Sequence, residues 1–171
     1  MKKIMIIGSG GAGKSTLSRQ LGQILNLPVI HLDAIFWKPV WVATPGEEFT
    51  AKQTEALSGD EWIVDGNYGS TMDIRLNLCD TIIFLNFSRF ICLYNVFKRY
   101  FQHRGKTRPD LTPGCPEKID LEFIQWIWNF PEHTTPRIME KLEKLPEGKE
   151  VFILKTPGEI KEFLKNVPGW R

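Results

Sequence analysis

The chain has 171 residues, 42% of them apolar and 25% charged. That suits one globular domain, able to bury roughly 70% of its unfolded surface without a disulfide or metal staple. A formal charge of +2, from 22 bases and 20 acids, is too small to argue for a nucleic-acid or membrane partner by bulk charge. Three scattered cysteines, Cys79, Cys92 and Cys115, form no CxxC pair and read as reduced thiols of a cytoplasmic protein; no segment approaches the roughly 18 apolar residues of a membrane helix.

Strand and helix signals alternate along the chain. Ile4–Ile7 form an apolar run that stops at Gly8, too short for a signal-peptide core and better read as a first strand. Leu17, Leu21, Ile24 and Leu25 then recur at helical spacing. "PVIHLD" predicts a second strand ending at Asp33. Beyond it, Thr44 as N-cap, Pro45 at the first helical position and Glu47 predict a capping box. "EWIVDGN" predicts a third strand ending at Asp65, and "TIIFLN" a fourth ending at Asn86. The next helix carries Phe90, Tyr94, Phe97 and Phe101 on one face, expected to pack into the core. "HRGKTRPDLTPGCPE" lacks apolar periodicity and predicts a long loop of the kind that forms functional lids. Helices are expected around Leu121–Trp128 and Pro136–Leu145, with Trp126, Trp128 and Phe130 as core or hinge packing. "EVFILK" predicts a fifth strand, and Thr156-Pro157-Gly158-Glu159 a second capping box opening the last helix.

This alternation predicts an α/β fold with a parallel sheet covered by helices on both faces. Ligands of such sheets bind where the strands end. Here that edge holds Gly8, Asp33, Asp65, Asn86 and Lys155 or Thr156. The first of these opens "GSGGAGKST", which matches G-x-x-x-x-G-K-[ST] between a predicted strand and a predicted helix. Gly8 and Gly13 let the backbone curl, so that the amides of Ser9, Gly10, Gly11 and Ala12 can face phosphate oxygens. The helix that follows, through Thr16, adds its free N–H groups and dipole. Lys14 supplies a point charge for the β and γ phosphates, and Ser15 a hydroxyl for Mg²⁺.

The P-loop, the "WIVDGNY" strand end and the Arg-rich lid segment resemble the adenylate-kinase-like branch of P-loop kinases. More narrowly, "HLDAIFWKPVW", "WIVDGNYGSTMDIRL", "KRYFQHRGKTRPD", "GCPEKID" and "FIQWIWNF" resemble the FlaR family, known as DNA topology modulation proteins. The resemblance spans nearly the whole chain. It implies the P-loop nucleoside triphosphate hydrolase fold, with sheet order 2-3-1-4-5. It further implies a substrate-side insert over 34–60, a lid over 102–120, and ATP with Mg²⁺ as ligands. It assigns Asp65, followed by Gly66, to the waters on Mg²⁺, and Asp33 to an acceptor hydroxyl as orienting group or base. The family name reflects an effect on DNA topology and fixes no phosphoryl acceptor.

The basic run of Lys98, Arg99, Arg104, Lys106 and Arg108 contains no acid. Guanidinium groups bind two phosphate oxygens at once, so Arg99, Arg104 and Arg108 are expected to close over the transferring phosphate. There an arginine is worth about 10³–10⁵ in rate. Tyr100 and Phe101 between the basics also fit a single-stranded nucleic-acid surface, but the small net charge and the position within a lid favour the kinase reading. Trp37 and Trp41 either wall the acceptor site or anchor the insert, while Tyr68 and Arg75 are candidate acceptor contacts. Two departures, Asn86 at a strand end and Asn95 where such kinases often carry arginine, support a rival: a regulatory ATP-binding protein of weak turnover. The Asn86 amide is expected to bond the P-loop backbone or a metal-bound water.

Overall fold

The computed structural model describes residues 1–103 and 111–167. In chain order the main sheet is built from β1 (Lys3–Gly8), β2 (Val29–His31), β5 (Trp62–Asp65), β6 (Thr81–Leu85) and β7 (Glu150–Leu154). A short antiparallel hairpin, β3 (Trp37–Lys38) and β4 (Val42–Ala43), intervenes. The helices are α1 (Lys14–Leu25), α2 (Leu32–Phe36), α3 (Gly46–Ala56), α4 (Met72–Leu78), α5 (Arg89–His103), α6 (Leu121–His133), α7 (Thr135–Glu143) and α8 (Pro157–Asn166). The five main strands pair in parallel in the order β2-β5-β1-β6-β7. Counting the strands of that sheet alone, this is 2-3-1-4-5. The hairpin, which the sequence did not announce, shifts the numbering but leaves the α/β fold class as expected.

Alternation along the buried strands divides the core in two. Ile4, Ile6, Ile63, Ile83 and Leu85 face one side, meeting Leu17 and Leu21 of α1, Val96 of α5 and Phe163 of α8. Met5, Ile7, Val64, Ile82 and Phe84 face the other, meeting Leu32, Phe49, Leu76 and Ile138. α6 serves both, through Ile127 and Phe130.

Two local expectations fail for identifiable reasons. Thr44 does not cap α3: its hydroxyl donates to the Ile35 carbonyl and its N–H to that of Phe36, so Pro45 occupies the cap position without a side-chain bond. The hydroxyl closes the end of the hairpin instead. The aromatic face of α5 is not core. Phe90, Tyr94, Phe97 and Phe101 are 69%, 66%, 42% and 73% exposed, whereas Cys92 and Val96 are buried. The cause is the contact α5 makes. A Cβ on Gly11 would lie 2.2 Å from the Cys92 carbonyl oxygen and 2.9 Å from a Val96 methyl. A helix that approaches the phosphate loop this closely needs slim residues on its inner side. The rings are left for the outer one. Trp126 and Trp128 are likewise partly exposed, and of those three aromatic residues only Phe130 is buried.

The second capping box forms as expected. The Thr156 hydroxyl accepts from the Glu159 N–H at 3.2 Å, and the Glu159 carboxylate accepts from the Lys155 N–H at 2.7 Å. Thr156→Ala is expected to lower stability by about 1 kcal/mol, read as a lower urea midpoint with an unchanged slope.

Candidate active site

An open cleft of about 1360 Å³ runs along the carboxyl edge of the sheet. One end is the loop between β1 and α1. Gly11 and Gly13 have φ of 78° and 91°, conformations that side chains disfavour, and a Cβ on Gly13 would meet nothing within 4 Å. That open space lies where a phosphate would sit against the α1 N-terminus. Three contacts fix the loop: Ala12 N–H to the Ser9 carbonyl at 3.2 Å, Gly8 N–H to Asn67 Oδ1 at 3.1 Å, and Asn95 Nδ2 to the Gly11 carbonyl at 2.9 Å. Lys14 Nζ donates to the carbonyls of Gly8 and Ser9, each at 3.0 Å. Burial pulls the Lys14 ammonium below its ordinary range, opposed by Asp33 and Asp65. Its charge is thus held among dipoles that an incoming anion can replace.

Beside the loop, β5 delivers Asp65. Parallel pairing sets His31 of β2 opposite it, and His31 Nδ1 hydrogen-bonds Asp65 Oδ2 at 2.6 Å. The other carboxylate oxygen, Oδ1, accepts from the Ser15 hydroxyl at 3.5 Å. Among the described residues no cluster of three or more His, Cys, Asp or Glu could cage a metal. One hydroxyl and one carboxylate fit Mg²⁺, a hard cation that keeps several of its waters. Asn86 uses its backbone N–H to bond the Leu154 carbonyl at 2.8 Å, and the amide that reaches the P-loop backbone belongs to Asn67.

The opposite end of the cleft holds Asp33, Trp37, Trp41 and Tyr68. The Tyr68 hydroxyl donates to Asp33 Oδ1 at 2.6 Å. Burial and the adjacent Asp33 drive its phenol far above the ordinary tyrosine range, so it stays protonated and acts as a fixed donor. Tyr68 has φ of 33° and sits in an aromatic group with Phe36 and Phe49, at ring distances of 4.8 and 4.9 Å. Trp37 and Trp41 meet edge to face at 5.4 Å. Both line the cleft, and Trp41 also anchors the hairpin by donating Nε1–H to the Pro116 carbonyl at 3.0 Å.

Arg75 is not in the cleft. It is fully buried, and its guanidinium donates to the carbonyls of Gly66, Asn67 and Tyr68. Burial draws it down to about 10, so it still carries its charge at neutral pH. It clamps the turn between Asp65 and Tyr68 and, buried there, does not reach the cleft. Arg99 lines the cleft, with Nε bonded to Oε1 of the buried Glu117 at 2.8 Å. Arg104 and Arg108 lie outside the described residues. The segment 111–117 is tied to the hairpin region: Val40 N–H bonds the Gly114 carbonyl, Cys115 Sγ the Lys38 carbonyl and Thr112 Oγ1 the Ala34 carbonyl. Sequence reading missed His31, Asn67 and Glu117. A polar residue inside the "VIH" strand was the available signal for the first. The other two depend on contacts distant in the chain.

The fold is that of P-loop kinases. A shikimate kinase from Acinetobacter baumannii bound to shikimate superposes with a TM-score of 0.61 at 14% identity, over 98% of this chain and 90% of that one. A sugar kinase from a Janibacter species superposes at 0.54 and 10% identity, over 99% and 94%. The family described as ethanolamine utilisation – propanediol utilisation matches residues 1–59, which hold the glycine-rich loop and the β3–β4 hairpin. No curated protein matches by sequence.

Arg75→Ala would remove the donor to the Gly66 and Asn67 carbonyls and one of the donors to that of Tyr68, and would open a void. It is expected to cost about 2–4 kcal/mol, measured by urea unfolding. A loss below about 1 kcal/mol, the scale of an ordinary surface change, would show that the clamp does not hold the turn.

Proposed function

We propose that this chain is an ATP-dependent phosphotransferase acting on a small hydroxyl- or phosphate-bearing acceptor. The observation that carries this reading is one cleft with a phosphate cradle at one end and an oriented carboxylate, Asp33, between tryptophan walls at the other. With the nucleotide, Mg²⁺ would supply charge neutralisation across the β and γ oxygens, next to Ser15 and Asp65. Lys14 exchanges its two carbonyl partners for phosphate oxygens. Asp33 accepts a hydrogen bond from an acceptor hydroxyl, and takes its proton as the new O–P bond forms and the β–γ bridge breaks. Positioning matters more than base strength in so loose a transition state, and Tyr68 fixes one Asp33 oxygen for that purpose. Arg99 is the described lid arginine that faces the phosphates. No helix among the described residues is long and apolar enough to cross a membrane, in keeping with a cytoplasmic enzyme.

A second reading is a nucleotide-binding regulator of weak turnover, the form in which the FlaR resemblance and its link to DNA topology belong. Two contacts favour it: Asn95 spends its amide on Gly11, and Arg99 is engaged by Glu117.

Incubation with γ-labelled ATP and a panel of nucleotides, nucleosides, sugars and hydroxy acids separates the two. Label appearing on an acceptor is the expected result, and slow hydrolysis alone overturns the kinase reading. Asp65→Asn is expected to lower Mg²⁺-dependent turnover on the order of 10–100-fold, by analogy with other groups that orient a metal's ligands. Asn86→Ala should change it little. Equal effects, or a larger one at Asn86, would misplace the metal.

A further inference from the structure

The outer face of α5 is a continuous aromatic stripe, with Phe90, Tyr94, Phe97 and Phe101 all exposed. Trp128 of α6 extends it, packing edge to face on Phe90 at 5.8 Å and itself 46% exposed. We infer that this stripe is a self-association surface, taking α5 of a second copy of the chain in antiparallel register about a two-fold axis.

Spacing points to a helix as the occupant. The four rings are 4, 3 and 4 residues apart, the spacing of a seam that packs against another helix, and they extend about 17 Å along the axis. That order reads the same in both directions. Antiparallel pairing therefore sets Phe90 against Phe101 of the partner subunit and Tyr94 against Phe97 of the partner subunit, the self-complementarity an isologous contact needs.

Charge selects the same orientation. α5 carries no acid, and its bases are Arg89, Lys98 and Arg99. Arg89 is engaged by Glu132 at 2.6 Å and by the Trp128 ring at 4.9 Å, and Arg99 by Glu117 on the cleft side. Antiparallel pairing places Lys98 opposite Leu93 of the partner subunit. A parallel pair would oppose the two Lys98 ammoniums.

Area is sufficient. At these exposures, with 150–250 Å² for each aromatic side chain, the stripe and Trp128 offer roughly 600 Å² per copy, or ~1,200 Å² in all, the lower end of specific interfaces. Single-stranded nucleic acid would also stack on aromatic rings, but it requires bases along the stripe to track its phosphates. Among the described residues of α5, Arg89 and Arg99 are held in ion pairs and Lys98, beside the stripe, lines the cleft. The inference does not depend on the proposed enzyme activity, because none of these rings lines the cleft.

Sedimentation of the full chain over about 1–100 µM, where an interface of this size and moderate quality dissociates, is the test. The expected result is a concentration-dependent dimer. Tyr94→Glu/Phe97→Glu should weaken it by at least about tenfold and leave the chain folded by far-ultraviolet circular dichroism, since neither side chain belongs to the buried core. A second variant, Tyr94→Ala/Phe97→Ala, should weaken it in the same direction without added charge. A monomer at every concentration, or a dimer indifferent to both variants, overturns the inference. So does binding of a fluorescent oligothymidine or of phosphatidylglycerol vesicles that is lost in these variants while the sedimentation profile is not, because the stripe would then serve another ligand.

Discussion

Much of this structure depends on how closely α5 approaches the phosphate loop at Gly11. The carbonyl of Cys92 leaves no room there for a Cβ, and the Asn95 amide spans the gap to the Gly11 carbonyl. Close approach restricts the inner side of the helix to slim residues, which excludes its rings from the core. It also fixes the rotation of α5, and with it the direction of Arg99 toward the cleft. One steric limit thus places a guanidinium in the cleft and an aromatic stripe on the surface.

The two carboxylates at the sheet edge share a design. Each is oriented by neighbouring side chains, Asp65 by His31 and Ser15 and Asp33 by Tyr68; Asp33 lines the cleft, and Asp65 is buried beside it. Both are anchored through the turn that Arg75 clamps, because that turn begins at Asp65 and ends at Tyr68. A buried cation is an expensive way to hold a turn. Here it satisfies the carbonyls of Gly66 and Asn67 and adds a donor to that of Tyr68, which also accepts from the Thr71 N–H.

Local signals carried the fold a long way. The strands were legible from their apolar runs, and the phosphate loop from its fixed spacing, because both are properties of contiguous residues. The predicted sheet edge already grouped Gly8, Asp33 and Asp65. What was illegible depended on contacts between segments far apart in the chain. Thr44 had the spacing of a cap, but its hydroxyl answers to Ile35. Phe90 to Phe101 had the period of a core face, and periodicity cannot say which side of a helix meets the sheet. Arg75 followed the right strand, yet a guanidinium serves a ligand and a backbone turn with the same donors. Asn67 and Asn86 are chemically identical, and only the fold reveals which of them reaches Gly8.

The hairpin deserves a mechanical reading. Val40 and Trp41 both have φ near 60°, a conformation that costs a β-branched residue of order 1–3 kcal/mol. Both are held there by the segment 111–117. A strained turn kept in place by its neighbour behaves like a latch under tension. The wall of the acceptor end and the stretch bearing Glu117 are therefore mechanically one piece. Displacing the tryptophans also displaces the carboxylate that holds Arg99, so the two ends of the cleft cannot open independently.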